Sequence, residues 1–225
     1  GSMACPGPPG ENRAVASRTM GRSARRSASP ADPARMNPEM RARLRAAVLE
    51  AFSREDFHNV DMRGIAARCG MSFSTIYKYF GDKEHLLFEF ISEWLAELRA
   101  RLVDGMQGLE SPREKLRRFI WVNLQYFEEN PGVGRAMFMS VPLQTWMRDP
   151  TFRQAEFFRP VIALVRDAQA ARLIDPVLQP HQVIDLFMGT IQHSIVMWEY
   201  RNRRYRLTDQ FEPLFRILWS GIGAR

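Results

Sequence analysis

The chain has 225 residues, of which 45% are hydrophobic and 25% charged, and this composition predicts a packed globular protein rather than a disordered or fibrous one. Cys5 and Cys69 are too far apart for any metal or redox spacing, which excludes a disulfide framework and favours a reducing, cytoplasmic location. The net charge of +7 favours polyanionic partners, and no apolar run reaches the roughly 20 residues that a bilayer-spanning helix needs, so no membrane partner is expected.

The first 36 residues are predicted to form a disordered basic arm, which begins with a cloning scar before Met3. Residues 13–35 contain six arginines and one acidic residue, Asp32, among many Ser, Ala, Pro and Gly residues. Two roles for the arm stay open. It is either a solvated tail without function or a source of additional electrostatic affinity for nucleic acid.

Residues 37–83 are predicted to form three short helices that precede a long fourth helix. Asp61 can cap the second helix, Gly70 suits the turn that follows it, and Ser72 is a natural N-cap for the third. Asp82 can cap the fourth helix. The first helix has one apolar face, made of Leu44, Ala47, Val48, Ala51 and Phe52.

Residues 84–225 continue the helical pattern and contain no strand-like alternation of useful length. The sequence Ser111-Pro112-Arg113-Glu114 predicts a capping box at the start of a fifth helix, and Pro131 can begin the next short one. Further helices are expected over about 151–173, 180–202 and 208–221. The sequence therefore predicts an all-α protein of about nine helices, with a small N-terminal helical domain and a larger C-terminal one.

Three short helices before a long one suggest a helix-turn-helix, in which the second helix braces the third for entry into a DNA major groove. Two sequence blocks carry a more specific signal: Arg63-Gly64-Ile65-Ala66-Ala67-Arg68-Cys69-Gly70-Met71-Ser72 and Thr75-Ile76-Tyr77-Lys78-Tyr79-Phe80-Gly81-Asp82-Lys83-Glu84-His85-Leu86. Over about residues 40–90 the chain resembles the TetR family of bacterial transcriptional regulators. Beyond residue 105 it matches that family in architecture only.

The resemblance implies a homodimer that binds double-stranded DNA at a palindromic operator, represses transcription and is released by a small-molecule effector. In the family, the positions of Thr75, Tyr77, Tyr79 and Lys83 commonly contact DNA. Hydroxyl and ammonium groups near a helix N-terminus are suitable phosphate donors, and arginine is suited to guanine. The predicted DNA-binding residues are Arg63, Ser72, Phe73, Ser74, Thr75, Tyr77, Lys78, Tyr79 and Lys83.

Two of these positions have a second interpretation. Arg63 could be a solvated surface arginine. Phe73 shares its helical spacing with Ile76 and Phe80, so it could be part of the core instead of contacting a thymine methyl group in the groove.

The C-terminal domain, residues 84–225, is expected to bind the effector and to form the dimer contact, as the resemblance implies. Its large apolar side chains are typical of an ordinary core, and a pocket would need polar groups that converge among them. His193 could equally be a hydrogen-bonded core residue. The predicted ligand-binding residues, which suit a largely apolar effector, are Asn123, Phe127, Phe138, Trp146, Met188, Gln192 and His193.

Apolar stripes on the last two helices predict a four-helix, two-fold contact between subunits. The alternative is that both stripes pack onto the same subunit. The predicted interface residues are Phe187, Ile191, Ser194 and Trp198 on one helix and Phe211, Phe215 and Leu218 on the other.

An enzyme, a cofactor and a metal site are not expected, because the four histidines show no ligand spacing and no glycine-rich phosphate loop occurs. A competing hypothesis is a helical small-molecule-binding or adaptor protein whose helix-turn-helix contacts protein. The basic charge and the Tyr77-Lys78-Tyr79 block favour DNA.

Overall fold

The computed structural model describes residues 31–140, 143–149 and 154–224, and within these ranges it contains ten α-helices and no β-strand. The all-α prediction is therefore confirmed. The helices are α1 (Pro38–Arg54), α2 (Met62–Cys69), α3 (Phe73–Phe80), α4 (Lys83–Met106), α5 (Pro112–Glu129), α6 (Pro131–Arg135), α7 (Leu143–Trp146), α8 (Gln154–Ala170), α9 (Pro180–Tyr200) and α10 (Phe211–Ile222). Short 3-10 turns cover Pro33–Arg35 and Leu207–Gln210, and Ala136–Ser140 is π-helical.

Side-chain caps define where the N-terminal helices begin, as the sequence predicts. The backbone N–H groups of Gly64, Thr75 and His85 donate to Asp61, Ser72 and Asp82, at 3.2, 3.1 and 2.7 Å. The predicted capping box at Ser111 does not form, because Ser111 makes no side-chain cap hydrogen bond. Glu114 pairs with Arg113 and Arg117 instead.

The N-terminal domain is a three-helix unit, α1–α3, closed by the first turns of α4. Its core contains Leu44, Ile65, Ile76 and Phe80, all almost fully buried, and the Phe80 ring lies 6.1 Å from the ring of Phe90 on α4. Ion pairs join α1 to α4 along their length, for example Arg45 to Glu97 at 2.6 Å. The first turns of α4 thus belong to this core, although the predicted boundary at residue 83 assigns them to the C-terminal domain.

Residues 31–36 also pack on the N-terminal domain, although the sequence predicts disorder up to residue 36. Met36 is 4% exposed and belongs to the core. The predicted basic arm lies outside the described residues up to residue 30.

The C-terminal domain is built around α5, which packs against α4, α8, α9 and α10. The hydroxyl group of Tyr126 donates to the Trp94 carbonyl oxygen at 3.0 Å and joins α5 to the middle of α4. Helices α9 and α10 run antiparallel, as hydrogen bonds at both ends of the pair show. The Asp175 N–H group, just before α9, donates to the carbonyl oxygen of Ile222 at the end of α10. Near the end of α9, Trp198 Nε1 donates at 2.6 Å to the carbonyl oxygen of Tyr205, which lies before α10. None of the described helices is both long and apolar enough to cross a membrane.

The apolar stripes predicted to form the dimer interface face the interior of the chain itself. Ser194 is half-buried and donates to the Thr190 carbonyl oxygen at 2.7 Å. The other six side chains are buried in the chain's own core: Phe187, Ile191, Trp198, Phe211, Phe215 and Leu218. This corrects the expectation, because side chains already packed within one subunit cannot also form its contact with another. Periodicity identifies the apolar face of a helix but not the surface that covers it.

A half-buried carboxylate fixes the turn before α10 to the end of α5. Glu128 accepts hydrogen bonds from the Thr208 N–H at 2.7 Å, the Thr208 hydroxyl at 2.9 Å and the Arg206 guanidinium at 3.2 Å. Burial raises the pKa of the Glu128 carboxyl, but the hydrogen bonds from Thr208 and Arg206 outweigh it and hold the pKa below its ordinary value.

Replacing Glu128 with glutamine should lower the free energy of unfolding by about 1–3 kcal/mol at pH 7, because charge-assisted hydrogen bonds are lost. A lowered pKa stabilises the fold above the ordinary carboxyl pKa, and this contribution disappears as the pH falls through the folded-state value. Urea unfolding of both proteins at pH 7 and near pH 3 measures the effect. An equal difference at both pH values would contradict the argument.

Candidate nucleic-acid interface

The turn between α2 and α3 brings the two helices together at one surface. Gly70 adopts a left-handed conformation, with φ of 68°, and its N–H group closes the end of α2. A residue with a Cβ atom is strained at this φ, which explains why glycine suits the turn. Ser72 then begins α3, and its hydroxyl lies 2.9 Å from that of Ser74 and 2.7 Å from that of Thr75. Three predicted phosphate donors thus form one exposed hydroxyl cluster.

An exposed stack of three side chains runs from α2 onto α3. The Arg63 guanidinium lies 5.5 Å from the centre of the Phe73 ring, and that ring lies 5.9 Å from the Tyr77 ring. Phe73, in the first turn of α3, is 39% exposed and Tyr77 is 57% exposed, whereas Ile76 and Phe80, which share the helical face of Phe73 farther along α3, are buried. Phe73 therefore faces solvent rather than the core, and it orients Arg63 through a cation–π contact.

Lys78 and Tyr79 extend this surface toward the end of α3. Lys78 is exposed, and its ammonium lies 5.9 Å from the centre of the half-buried Tyr79 ring. Tyr79 packs against the core, so only part of its surface is available to a partner.

Lys83 differs from the other predicted DNA-binding residues because its ammonium is used within the protein. It donates to the carbonyl oxygens of Phe57 at 2.6 Å and Val60 at 2.9 Å, and it lies 4.4 Å from the centre of the Phe57 ring. Two of its three donors therefore hold the loop between α1 and α2 against the start of α4. A direct role in DNA contact stays a prediction for this residue.

Replacing Lys83 with methionine should lower the free energy of unfolding by about 1–2 kcal/mol, because two loop carbonyls lose a charged donor. The matched control is Lys78→Met. The exposed Lys78 should change stability by less than about 0.5 kcal/mol and instead weaken binding to DNA. Urea unfolding distinguishes the two variants, and equal stabilities would contradict a structural role for Lys83.

The structure also places Arg43 of α1 beside this surface, a position that the sequence pattern does not indicate. Its Nη1 atom lies 3.8 Å from the position that a Cβ atom would occupy on Gly70, between α2 and α3. Helical periodicity assigns Arg43 only to the solvated side of α1, and its position beside the turn depends on how α1 packs on α2.

The predicted ligand-binding residues divide into three groups. Asn123 and Phe127 are buried one turn apart on α5, and Phe138 in the π-helical turn is half-buried, with its ring 5.3 Å from that of Phe127. Trp146 is buried against Phe88 of α4, with 6.5 Å between ring centroids. On α9, Met188 and Gln192 are half-buried but His193 is exposed, which corrects the expectation that His193 lies in the interior.

Asn123 is fully buried, and only one of its two polar side-chain atoms is paired. Its amide nitrogen donates to the Phe119 carbonyl oxygen at 2.8 Å, whereas its Oδ1 atom is buried without a hydrogen-bond partner among the described residues. Residues four apart share a helix face, so Asn123 lies on the same side of α5 as Phe127. That side of α5 faces α6 and α9. Gly134 of α6 lies between Phe127 of α5 and Ile195 of α9, so the three helices meet there.

A separate groove of about 490 Å³ lies between α5 and the 3-10 turn before α10. Arg117, Arg118, Trp121 and Arg206 are among its lining residues, and it contains none of the predicted ligand-binding residues. The candidate effector region and this groove are therefore different places in the domain.

Comparison with known proteins assigns the N-terminal part of the chain to a described family. Residues 44–90 match the family model described as "Bacterial regulatory proteins, tetR family". The HTH-type transcriptional regulator BetI of Agrobacterium fabrum is 34% identical over 96 residues, which are 43% of this chain and 47% of that protein. The match thus spans less than half the length of that relative. The fatty acid metabolism regulator protein of Bacillus subtilis is 20% identical and matched over 78% of this chain and 92% of its own length.

Solved structures extend the similarity in fold to most of the chain. The fatty acid degradation regulator FadR of Bacillus halodurans has a TM-score of 0.74 at 17% identity and covers 84% of this chain and 99% of its own. FadR of Bacillus subtilis, solved in complex with stearoyl-CoA, has a TM-score of 0.68 at 17% identity, and the match covers 81% of this chain and 99% of that one.

Proposed function

This chain belongs to the tetR family of bacterial regulatory proteins, and from that premise we propose that it is a transcriptional repressor that a small molecule releases from a palindromic operator. The observation that carries the proposal is the exposed stack of Arg63, Phe73 and Tyr77 beside a capped α3. In a helix-turn-helix, the start of the recognition helix, which is α3 here, contacts base edges, and hydroxyl groups nearby contact phosphates. Such a regulator acts in the bacterial cytoplasm and catalyses no reaction.

A palindromic operator requires two DNA-reading surfaces, and we propose that the outward faces of α9 and α10 form the contact with a second subunit. Leu186 is 45% exposed and Ile217 65% exposed, although both are large and apolar. Gly189 and Gly221 lie on these exposed faces, and a Cβ atom at either position would meet nothing within 4 Å. Small residues allow helices of two subunits to approach closely. The proposed dimer face therefore consists of Leu186, Gly189, His193, Ile217 and Gly221.

The two subunits of such a dimer read half-sites on successive turns of the DNA. Centre-to-centre spacings of about 34–36 Å, or multiples of this distance, allow both α3 helices to enter the major groove on the same side. Two arrangements of the N-terminal domains are then possible, one that fits the operator and one that does not. An effector that binds the second arrangement more tightly lowers the affinity for the operator, at most by the ratio of its own affinities for the two arrangements.

The proposed effector site lies on the Asn123 side of α5, and the proposed effector is largely apolar. Phe127 and Phe138 supply aromatic surface there, and Asn123 Oδ1 supplies an acceptor for one polar group of the ligand. Because one similar structure holds stearoyl-CoA, that compound is a suitable first probe. Comparing the thermal shift that stearoyl-CoA causes with the shift that coenzyme A alone causes distinguishes binding of the acyl chain from binding of the charged coenzyme.

Selection of bound DNA from a random pool tests the proposal directly. The wild-type protein should enrich a palindrome, and Tyr77→Ala should not. Tyr200→Ala is the matched control, because Tyr200 is an exposed tyrosine at the far end of α9, and it should enrich the same palindrome as wild type. If the wild-type protein enriches no palindrome, the adaptor hypothesis replaces the proposed function.

A further inference from the structure

Arg41 of α1 contacts two other segments of the N-terminal domain at the same time. Its Nε atom donates to the Glu93 carboxylate of α4, and its Nη2 atom lies 3.8 Å from the Glu89 carboxylate on the same helix. Its Nη1 atom donates at 2.8 Å to the carbonyl oxygen of Pro33, which precedes α1. The Arg41 side chain is only 21% exposed. All three nitrogen atoms of the guanidinium therefore face partners within the protein.

The segment that Arg41 holds also closes the end of α3. The Ala31 N–H group donates to the Lys78 carbonyl oxygen at 2.8 Å, and Lys78 lies in the last turn of α3. Carbonyl groups in the last turn of a helix lack partners within the helix, so this bond satisfies one of them. Residues 31–36, the N-terminal segment, are thus attached to α3 at Ala31 and to Arg41 at Pro33.

Through the N-terminal segment, Arg41 connects α4 to the far end of α3. The start of α3 is fixed separately, by the Ser72 cap and by the turn at Gly70 that joins it to α2. Because a helix of eight residues is about 12 Å long, a shift of about 2 Å at its far end tilts its axis by about 10°. Hydrogen bonds form only over about 2.7–3.2 Å, so such a tilt disrupts contacts to base edges.

A second arginine of α1 makes the contact with α4 but not the contact with the N-terminal segment. One turn after Arg41, the Nη2 atom of Arg45 donates to Glu97 of α4 at 2.6 Å, and its Nε atom lies 3.6 Å from the carboxylate of Glu93. Within the described ranges, Arg45 forms no hydrogen bond with the N-terminal segment. The two arginines thus differ in one contact, which makes Arg45 a matched control for Arg41.

We propose that Arg41 is a positioning residue for operator recognition, which fixes the angle of α3 by holding the N-terminal segment against α4. This inference rests on the proposed operator binding and adds to it a residue that does not itself contact DNA. A phosphate contact increases affinity for all DNA and its dependence on salt, whereas base contacts carry the preference for one sequence. Loss of Arg41 should therefore reduce the preference for the operator and leave the salt dependence unchanged.

Arg41→Gln and Arg45→Gln test this inference as a pair, since each removes one positive charge from the contact between α1 and α4. The measurement is the ratio of operator affinity to scrambled-DNA affinity at several salt concentrations. Arg41→Gln should lower this ratio by about tenfold or more, as expected for lost base contacts, and Arg45→Gln should keep the wild-type ratio. In both variants, the slope of log affinity against log salt should change by less than about 0.9, the value of one phosphate contact. Equal ratios for the two variants would overturn the inference.

Ala31→Pro tests the route through the N-terminal segment. The substitution removes the N–H group that binds the Lys78 carbonyl oxygen, at a position that lies outside the helices. It should lower the operator ratio about as much as Arg41→Gln does. Because both changes release the same segment, the double variant should lose no more than either single variant. A double variant whose loss equals the product of the two single losses would contradict this route.

Hydrogen exchange of the protein without DNA separates this inference from the proposed function. The Ala31 N–H group should exchange faster in Arg41→Gln than in Arg45→Gln, because release of the N-terminal segment exposes it to solvent. Equal exchange rates would overturn the inference, whatever DNA the protein binds. If the wild-type protein prefers no palindrome, the proposed function fails. If wild type prefers a palindrome and Arg41→Gln keeps the full preference, the inference alone fails.

Discussion

Replacing Ile217 with glutamate should convert the proposed dimer to monomers and weaken operator binding at least a hundredfold. Ile217 projects from α10 on the outward face and is 65% exposed in the single chain. In a two-fold contact, each subunit would bury this position against its partner, and a buried charge without a partner costs about 3–5 kcal/mol. A dimer that binds DNA through two linked N-terminal domains also gains roughly 10²–10⁴ in avidity over a single domain, and monomers lose that gain.

Sedimentation at micromolar concentration and titration of operator DNA measure the two effects together. Val177→Glu is the matched control, because Val177 is an exposed apolar residue on the loop before α9 and undergoes the same change of charge. The control should remain dimeric and bind as wild type does. A dimeric Ile217→Glu protein would show that the subunits meet elsewhere.

Replacing Asn123 with leucine should abolish the response to an effector while leaving the free protein as stable as wild type, or more stable by about 1–2 kcal/mol. The buried Oδ1 atom has no hydrogen-bond partner among the described residues, so its removal relieves a desolvation cost. A residue needed only for packing would behave in the opposite way. Urea unfolding and release of operator DNA by stearoyl-CoA measure the two properties.

Asn130 provides the control for this experiment. Its amide donates to the Tyr126 carbonyl oxygen four residues earlier, as that of Asn123 does to Phe119, but Asn130 is only half-buried. Asn130→Leu should keep the effector response. Loss of stability without loss of response in Asn123→Leu would contradict the proposed effector site.

The sequence is most informative where the structure depends on neighbours within a few residues. The caps at Asp61, Ser72 and Asp82 form because each side chain reaches a backbone N–H group three residues later. Gly70 is equally local, since its left-handed conformation is a property of one residue. The N-terminal domain was predictable from the sequence because these signals occur at a spacing that few other structures share.

Contacts between distant segments are what the sequence does not show. Lys83 has the positive charge that a phosphate contact needs, but its ammonium donates to carbonyl groups of a loop more than 20 residues earlier in the chain. Phe73 has the spacing of a core residue, and only the packing of α2 on α3 places Arg63 over its ring. The stripes on α9 and α10 were predicted correctly as apolar faces, but periodicity could not identify their neighbours.

The continuity of α4 limits how the C-terminal domain can move the N-terminal domain. A single helix, Lys83–Met106, begins in the core of the N-terminal domain and continues beside α5, so no break in the helix separates the two domains along it. A ligand that displaces α5 must therefore tilt α4 as a rigid lever. For a helix of about 36 Å, a tilt of about 5° moves its far end by about 3 Å, which would shift the two α3 helices of the proposed dimer away from the spacing of about 34–36 Å that successive major grooves require.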